Sequence, residues 1–139
     1  MSDADPLHAT CVAVRGAGVL ITGRSGSGKS DLALRLIDRG AVLVSDDYTH
    51  LRRDGDTLVA TPPARIAGRI EVRGVGIVPL PHLASVPVRL LVDADYAPPR
   101  LPDTDTIVLR DVPIAHARLA LREASAPLKV ELLLARIIA

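Results

Sequence analysis

Apolar residues along this chain come in short blocks punctuated by glycine, proline and aspartate. Leu7 to Val14 (LHATCVAV) predicts a strand. Arg15-Gly16-Ala17-Gly18 predicts a tight turn into a second strand, Gly18 to Thr22, so that the two form an antiparallel pair. Leu32, Leu36 and Ile37 then fall at helical spacing and predict a helix from Lys29 to Arg39 that stops at Gly40. Ala41 to Val44 reads as a short buried strand. Tyr48 to Arg53 and Thr57 to Thr61 read as strands joined at Asp54-Gly55-Asp56, and Thr61-Pro62-Pro63 closes that unit. From Ile70 to Ile77 an acid and an arginine sit among apolar residues, with glycines two apart, which predicts a charged loop entering a strand. Val86 to Val92 is another buried strand. Asp93 to Asp105, rich in proline and aspartate, predicts an exposed loop, and Thr106 to Leu109 a short strand. Ile114 to Glu123 and Leu128 to Ile138 predict two helices, the second following Pro127.

Composition narrows the function more than the fold. The length of 139 residues suits one domain, residues 1–139, with one core. That core is aliphatic: Phe and Trp are absent, and Tyr48 and Tyr96 are the two aromatics. A net charge of +1 gives no electrostatic case for nucleic acid or a membrane surface, and no apolar run reaches membrane length. The acidic stretch from Met1 to Pro6 is neither a signal peptide nor a span. Cys11 lies among apolar residues and reads as a buried thiol; a lone cysteine fits a reducing, cytoplasmic setting. The chain contains no Asn and no Gln. The Asn-Lys-x-Asp element by which Ras-like proteins read guanine is therefore excluded, as is a water-orienting glutamine.

One stretch carries a specific chemistry. Gly23-Arg24-Ser25-Gly26-Ser27-Gly28-Lys29-Ser30 fits G-x-x-x-x-G-K-[ST], with a strand pattern before it and a helix pattern after it, the context this phosphate-binding loop needs. Its glycines allow a tight turn and close approach to a phosphate, and its N–H groups and the new helix N-terminus face the anion. Lys29 would reach the β and γ phosphates of a nucleotide, and the Ser30 hydroxyl would hold Mg²⁺. The chain has 17 Lys and Arg, of which the lysines are Lys29 and Lys129, so lysine is rare here and one stands where the motif needs it.

Ser45-Asp46-Asp47 follows the strand at Ala41 to Val44 and resembles a Walker B end, where an apolar strand delivers an acid to the metal. Two adjacent carboxylates allow two tasks: one near the metal and one accepting the proton of an attacking hydroxyl. A pair of solvated turn aspartates is the alternative. Pairing of the first two strands would bring His8, at the start of the first, beside the phosphate loop; a surface histidine at a strand end is equally consistent.

Four ordered motifs together resemble one family. The loop from Gly23 to Ser30, the Val44-Ser45-Asp46-Asp47 strand end, the Ile70 to Ile77 stretch and the His8, Val12, Val14 pattern are similar to the catalytic domain of HPr kinase/phosphorylase. The resemblance implies an α/β fold: a P-loop kinase core of the HPr kinase and phosphoenolpyruvate carboxykinase type, a mixed sheet with flanking helices, without the separate N-terminal domain of long members. It implies an ATP- and Mg²⁺-dependent kinase that phosphorylates a serine of the phosphocarrier HPr within a phosphotransferase system. Asp47 would take the serine proton. Ser30, Glu71 and Asp46 would serve the metal, Lys29 and His8 would stand at the active site, and Arg100 would stabilise the transferring phosphoryl group.

The departures also inform. The residue after the loop serine is Asp31 where the family usually has Glu. The stretch from Ala120 to Val130 echoes the family's dephosphorylation segment only at Arg122, Pro127 and Lys129, which leaves phosphorylase activity open. The short form resembles alphaproteobacterial members. Two other readings stay open: a P-loop kinase or ATPase with another acceptor, and a nucleotide-binding sensor without turnover. The family forms hexamers, so a homo-oligomer is expected. Leu132, Leu133, Leu134, Ile137 and Ile138 could serve it, or could simply complete the core.

Overall fold

The computed structural model describes residues 5–95, 98 and 105–138. The first two strands, β1 (Ala9–Val14) and β2 (Ala17–Thr22), form the expected antiparallel hairpin, with Val14 opposite Ala17. Its two turn residues, Arg15 and Gly16, both have positive φ, as the type I′ turn that suits strand twist requires. Both strands are covered on both faces, which is why they read as unbroken apolar runs rather than as alternation.

Helix α1 (Lys29–Asp38) follows the loop. It ends where Gly40 N–H donates to the Ile37 carbonyl and Ala41 N–H to the Leu36 carbonyl, a Schellman closure. The chain continues through β3 (Val42–Ser45), β4 (His50–Asp54), β5 (Thr57–Thr61), β6 (Arg69–Val72), β7 (Gly76–Pro79) and β8 (Val86–Asp93). It closes with β9 (Thr106–Leu109), β10 (Val112–Arg118) and α2 (Ala126–Ile138). One sheet runs in the order β3-β1-β2-β8-β10-β9, and β5, paired with β4, joins the start of β8. β8 is parallel to β2 and to β10, while β1 pairs antiparallel with both β2 and β3. The fold is therefore mixed α/β with a mixed sheet.

Both helices pack on one face, where Leu32, Leu36, Val130 and Leu134 meet Val12, Val19, Ile21 and Val92. The other face is covered by the β4–β5 hairpin, whose Leu51 and Leu58 join Cys11, Leu20, Val44 and Leu91. In this arrangement β2, β3, β8 and β10 all deliver their C-terminal ends to one edge of the sheet, where open α/β sheets bind ligands.

Two expectations are corrected. Ile114 to Glu123 is not a helix: Val112–Arg118 is β10, and turns follow it up to Ala126. Ala-His-Ala-Arg favours a helix locally, but β10 pairs with both β8 and β9, and those ladder hydrogen bonds outweigh a weak propensity. Pro113, which has no N–H, sits where β10 has β9 beside it, before pairing with β8 begins at Ala115. The stretch from Ile70 to Ile77 is not a loop entering a strand but a hairpin, with Glu71 opposite Ile77. Ile70 is its buried contact with the core, which the intervening charges obscured. The helix expected from Leu128 begins two residues earlier, with Pro127 inside its first turn.

Candidate active site

The loop from Gly23 to Gly28 carries the chain from β2 into α1. Gly28 caps the helix with φ 103, a conformation that side chains rarely adopt, and gives no side-chain cap to the first-turn N–H groups. Those donors are left for an anion. Lys29 is buried, and its Nζ donates to the Gly23 carbonyl at 2.8 Å and the Arg24 carbonyl at 3.1 Å, so the loop is folded around its own lysine. The Arg24 N–H donates to Asp95 Oδ1 at 2.9 Å, and the Asp95 N–H donates to Asp93 Oδ1 at 2.9 Å. The end of β8 thus braces the loop from the side. Ser27 Oγ is buried with no partner among the described residues.

Asp46, at the end of β3, is the hub of the site. It is 7% exposed, and its Oδ1 accepts hydrogen bonds from the Ser30 hydroxyl at 2.5 Å and the Thr10 hydroxyl at 3.1 Å. Its Oδ2 accepts the Glu71 N–H at 3.0 Å. One buried carboxylate therefore ties together the start of α1, β1 and β6, and these charge-assisted bonds compensate its burial. Because Ser30 donates its proton to Asp46, its lone pairs stay available to a cation.

Asp47 points elsewhere. The Tyr48 N–H donates to the Asp46 carbonyl at 2.7 Å across it, and Asp47 has φ 68. This is a γ-turn of the positive-φ kind, a strained form for a residue with a side chain. The Asp47 N–H is secured by Thr10 Oγ1 at 3.0 Å. Its exposed carboxylate lies 2.9 Å from His8 Nε2, and the His8 ring stacks on Tyr48 with centroids 5.1 Å apart.

An open cavity of about 810 Å³ lies between the loop and the β6–β7 hairpin, lined by Lys29, Ser30, Asp46, Asp47 and Glu71. Arg65, Arg69, Arg73 and Arg122 add positive charge to its walls. Of the residues singled out from sequence, the structure gathers Ser25, Gly26, Gly28, Lys29, Ser30, Asp46, Asp47 and Glu71 on this cavity and sets His8 against Asp47, while Gly23, Arg24 and Ser27 do not line it. Arg100 lies outside the described residues. Sequence reasoning missed Thr10, Tyr48, Asp95 and the three arginines between 65 and 73. Thr10 had a signal, since it is the hydroxyl residue in an otherwise apolar strand and is fully buried.

Known proteins resemble this chain in sequence and in fold. The family model of the HPr Serine kinase C-terminal domain matches residues 1–84. The chain belongs to that family. Members with similar sequence include the HPr kinase/phosphorylase of Clostridium botulinum (strain Eklund 17B / Type B), 47% identical over 77 residues, which are 55% of this chain and 25% of that protein. That of Geobacillus kaustophilus (strain HTA426) is 51% identical over 73 residues, 52% of this chain and 24% of that protein. The aligned part of the chain thus spans about a quarter of the length of these relatives. Among solved structures, the Hpr(Ser) kinase/phosphatase from Coxiella burnetii superimposes with a TM-score of 0.82 at 26% identity, covering 94% of this chain and 88% of that one. At 94% coverage, that match extends beyond residue 84.

The donor atoms fit what the family implies. A hydroxyl and carboxylates are hard oxygen ligands, the type Mg²⁺ prefers. Among the described residues no three His, Cys, Asp or Glu form a metal cage. Mg²⁺ that arrives with phosphates needs only one or two protein carboxylates. Among the described residues no helix is long and apolar enough to cross a membrane.

Proposed function

We propose that residues 1–139 form the kinase domain of an ATP-dependent protein serine kinase that phosphorylates the phosphocarrier HPr. The observation that carries this reading is that Asp47, held by His8, stands on the same cavity as the preformed phosphate loop. A donor phosphate and an acceptor hydroxyl can therefore meet there.

The roles follow from position. The loop amides from Gly23 to Gly28 and Lys29 hold the nucleotide's phosphates. Ser30 and Glu71 offer oxygens to Mg²⁺, while Asp46, with both oxygens engaged, orients Ser30 and the Glu71 backbone. Mg²⁺ held there would supply positive charge against the donor phosphates. Asp47 accepts the proton of the incoming serine as the serine oxygen bonds to the γ-phosphorus and the bond to the bridging oxygen of ADP breaks. His8, 2.9 Å from the Asp47 carboxylate, holds that side chain in place at the cavity. Arg100 is assigned to the charge on the transferring group by resemblance. With inorganic phosphate as acceptor, a phosphate oxygen would bond to the phosphoserine phosphorus as the bond to the serine oxygen breaks, giving pyrophosphate, and Asp47 would carry the proton from the phosphate to the serine oxygen. Self-association into a hexamer, by resemblance, completes the reading.

The test is transfer of label from γ-labelled ATP with Mg²⁺ to HPr of the same organism, beside HPr lacking its acceptor serine. Label on intact HPr alone supports the reading. No label, with nucleotide binding established, would overturn HPr as the acceptor. Adding excess phosphate to labelled HPr then tests the reverse reaction.

A further inference from the structure

The segment that follows β10 is drawn across the phosphate loop by α1. Arg35 Nη1 donates to the Glu123 carbonyl at 2.9 Å, and Nη2 donates to the Leu121 carbonyl. These are the carbonyls on either side of Arg122. Asp31, one helical turn before Arg35, fixes its Nε at 3.0 Å. Leu119 and Leu121 are buried beneath the segment, and the Leu119 N–H donates to the Asp93 carbonyl at 3.1 Å. Pinned in this way, Arg122 lies over the loop. Its Nη2 donates to the Gly26 carbonyl, and its Cγ is 3.4 Å from where a Cβ on Gly28 would sit. It lines the same cavity as Lys29 and Ser30.

A guanidinium carries five donors in a rigid fork. One bond to Gly26 leaves further donors at the edge of an anion site formed by backbone N–H groups. Arg122 is exposed, so turning those donors to a ligand buries no unpaired charge. We propose that Arg122 contacts the phosphates of a nucleotide seated in the loop, and that Arg35 is its positioning residue. This inference rests on the kinase reading above and deepens it, because it names how the donor site is completed from the far end of the chain. Lysine is a poor substitute for Arg35, which holds the Asp31 carboxylate and the Leu121 and Glu123 carbonyls from three separate nitrogens, whereas an ammonium has one.

The test is the affinity of the full chain for Mg-ATP by titration calorimetry, with thermal melting recorded in parallel. Wild type, Arg122→Ala, Arg35→Ala, Arg35→Lys and the Arg35→Ala/Arg122→Ala double variant are compared. Each single alanine variant is expected to weaken binding about tenfold, the loss of one set of charge-assisted hydrogen bonds. The double variant is expected to bind no more weakly than Arg122→Ala, since Arg35 acts through Arg122. Arg35→Lys is expected to bind like Arg35→Ala, an outcome that a role in helix charge alone would not give. Where Arg35→Ala folds poorly, Arg35→Lys and Arg122→Ala carry the comparison. Variants that bind Mg-ATP like wild type, or losses that multiply in the double variant, overturn the proposal alone. A wild-type chain that binds no nucleotide overturns the kinase reading with it.

Discussion

His8 Nε2 lies 2.9 Å from Asp47 Oδ1 although 39 positions separate the two residues. The contact exists because β1 sits between β2 and β3, so the residue before β1 meets the turn after β3. The turn is strained at Asp47, φ 68, and Thr10 and Ser45 secure it by hydrogen bonds to the Asp47 N–H and the Tyr48 carbonyl. Strain held in place by surrounding bonds at a cavity mouth is a mark of a residue placed for use. His8→Ala is expected to lower the rate of transfer roughly a hundredfold, the low end for a lost acid–base partner, while leaving nucleotide affinity unchanged. Steady-state kinetics with a parallel binding titration checks this.

Thr10 is the second joint of the same structure. It donates to Asp46 and accepts from the Asp47 backbone, and it is fully buried. Thr10→Val keeps the shape and removes both bonds. The buried N–H of Asp47 and one bond to Asp46 are then lost, at an expected cost of about 1–3 kcal/mol in stability. Urea unfolding measures it. A variant as stable as wild type would mean that water or rearrangement satisfies both groups.

How much of this was legible in the sequence depended on range. The β1–β2 hairpin, the loop and α1 are encoded within some thirty consecutive residues by turn, glycine and helix-period signals, and they appear where those signals put them. Asp46 and Asp47 were legible as a pair with two tasks, but not the bonds by which Thr10, on another strand, holds the Asp46 carboxylate and the Asp47 N–H. The β10 segment misled because Ile114-Ala-His-Ala-Arg carries helix-favouring residues, while its strand state depends on β8 and β9 as neighbours. No local signal in the sequence singles out Arg35 on α1. Its partners at 121 and 123 lie 86 and 88 positions away, beyond any local pattern.

The two helices are joined at the surface by Arg39 and Glu131, 2.7 Å apart. The hydrogen bond from Arg39 holds the Glu131 carboxyl below its ordinary value of 4.5. A carboxyl depressed in the folded state contributes stability above that ordinary value and loses it as pH falls through the folded value. Glu131→Gln should therefore melt slightly below wild type at neutral pH, with the gap closing well below pH 4.5. Arg39 is exposed and Glu131 half-buried at the surface, so the gap should be small and shrink in high salt. Melting curves across pH and salt test each part.

Cys11 lies in β1 with no exposed surface, and burial pushes its thiol up. The thiolate is the reactive species, so native protein should resist alkylation by iodoacetamide at pH 8, whereas unfolded protein should react to completion. Mass spectrometry of the two samples distinguishes them.

The central claim is that donor binding and proton acceptance reside in different residues of one cavity. The most direct measurement is Asp47→Asn, assayed for Mg-ATP affinity and for label transfer to HPr. Binding should stay within about twofold of wild type, because Asp47 bonds no loop atom, while transfer should fall by a factor on the order of 10² to 10⁴. Equal loss of both, or transfer at the wild-type rate, would contradict the account.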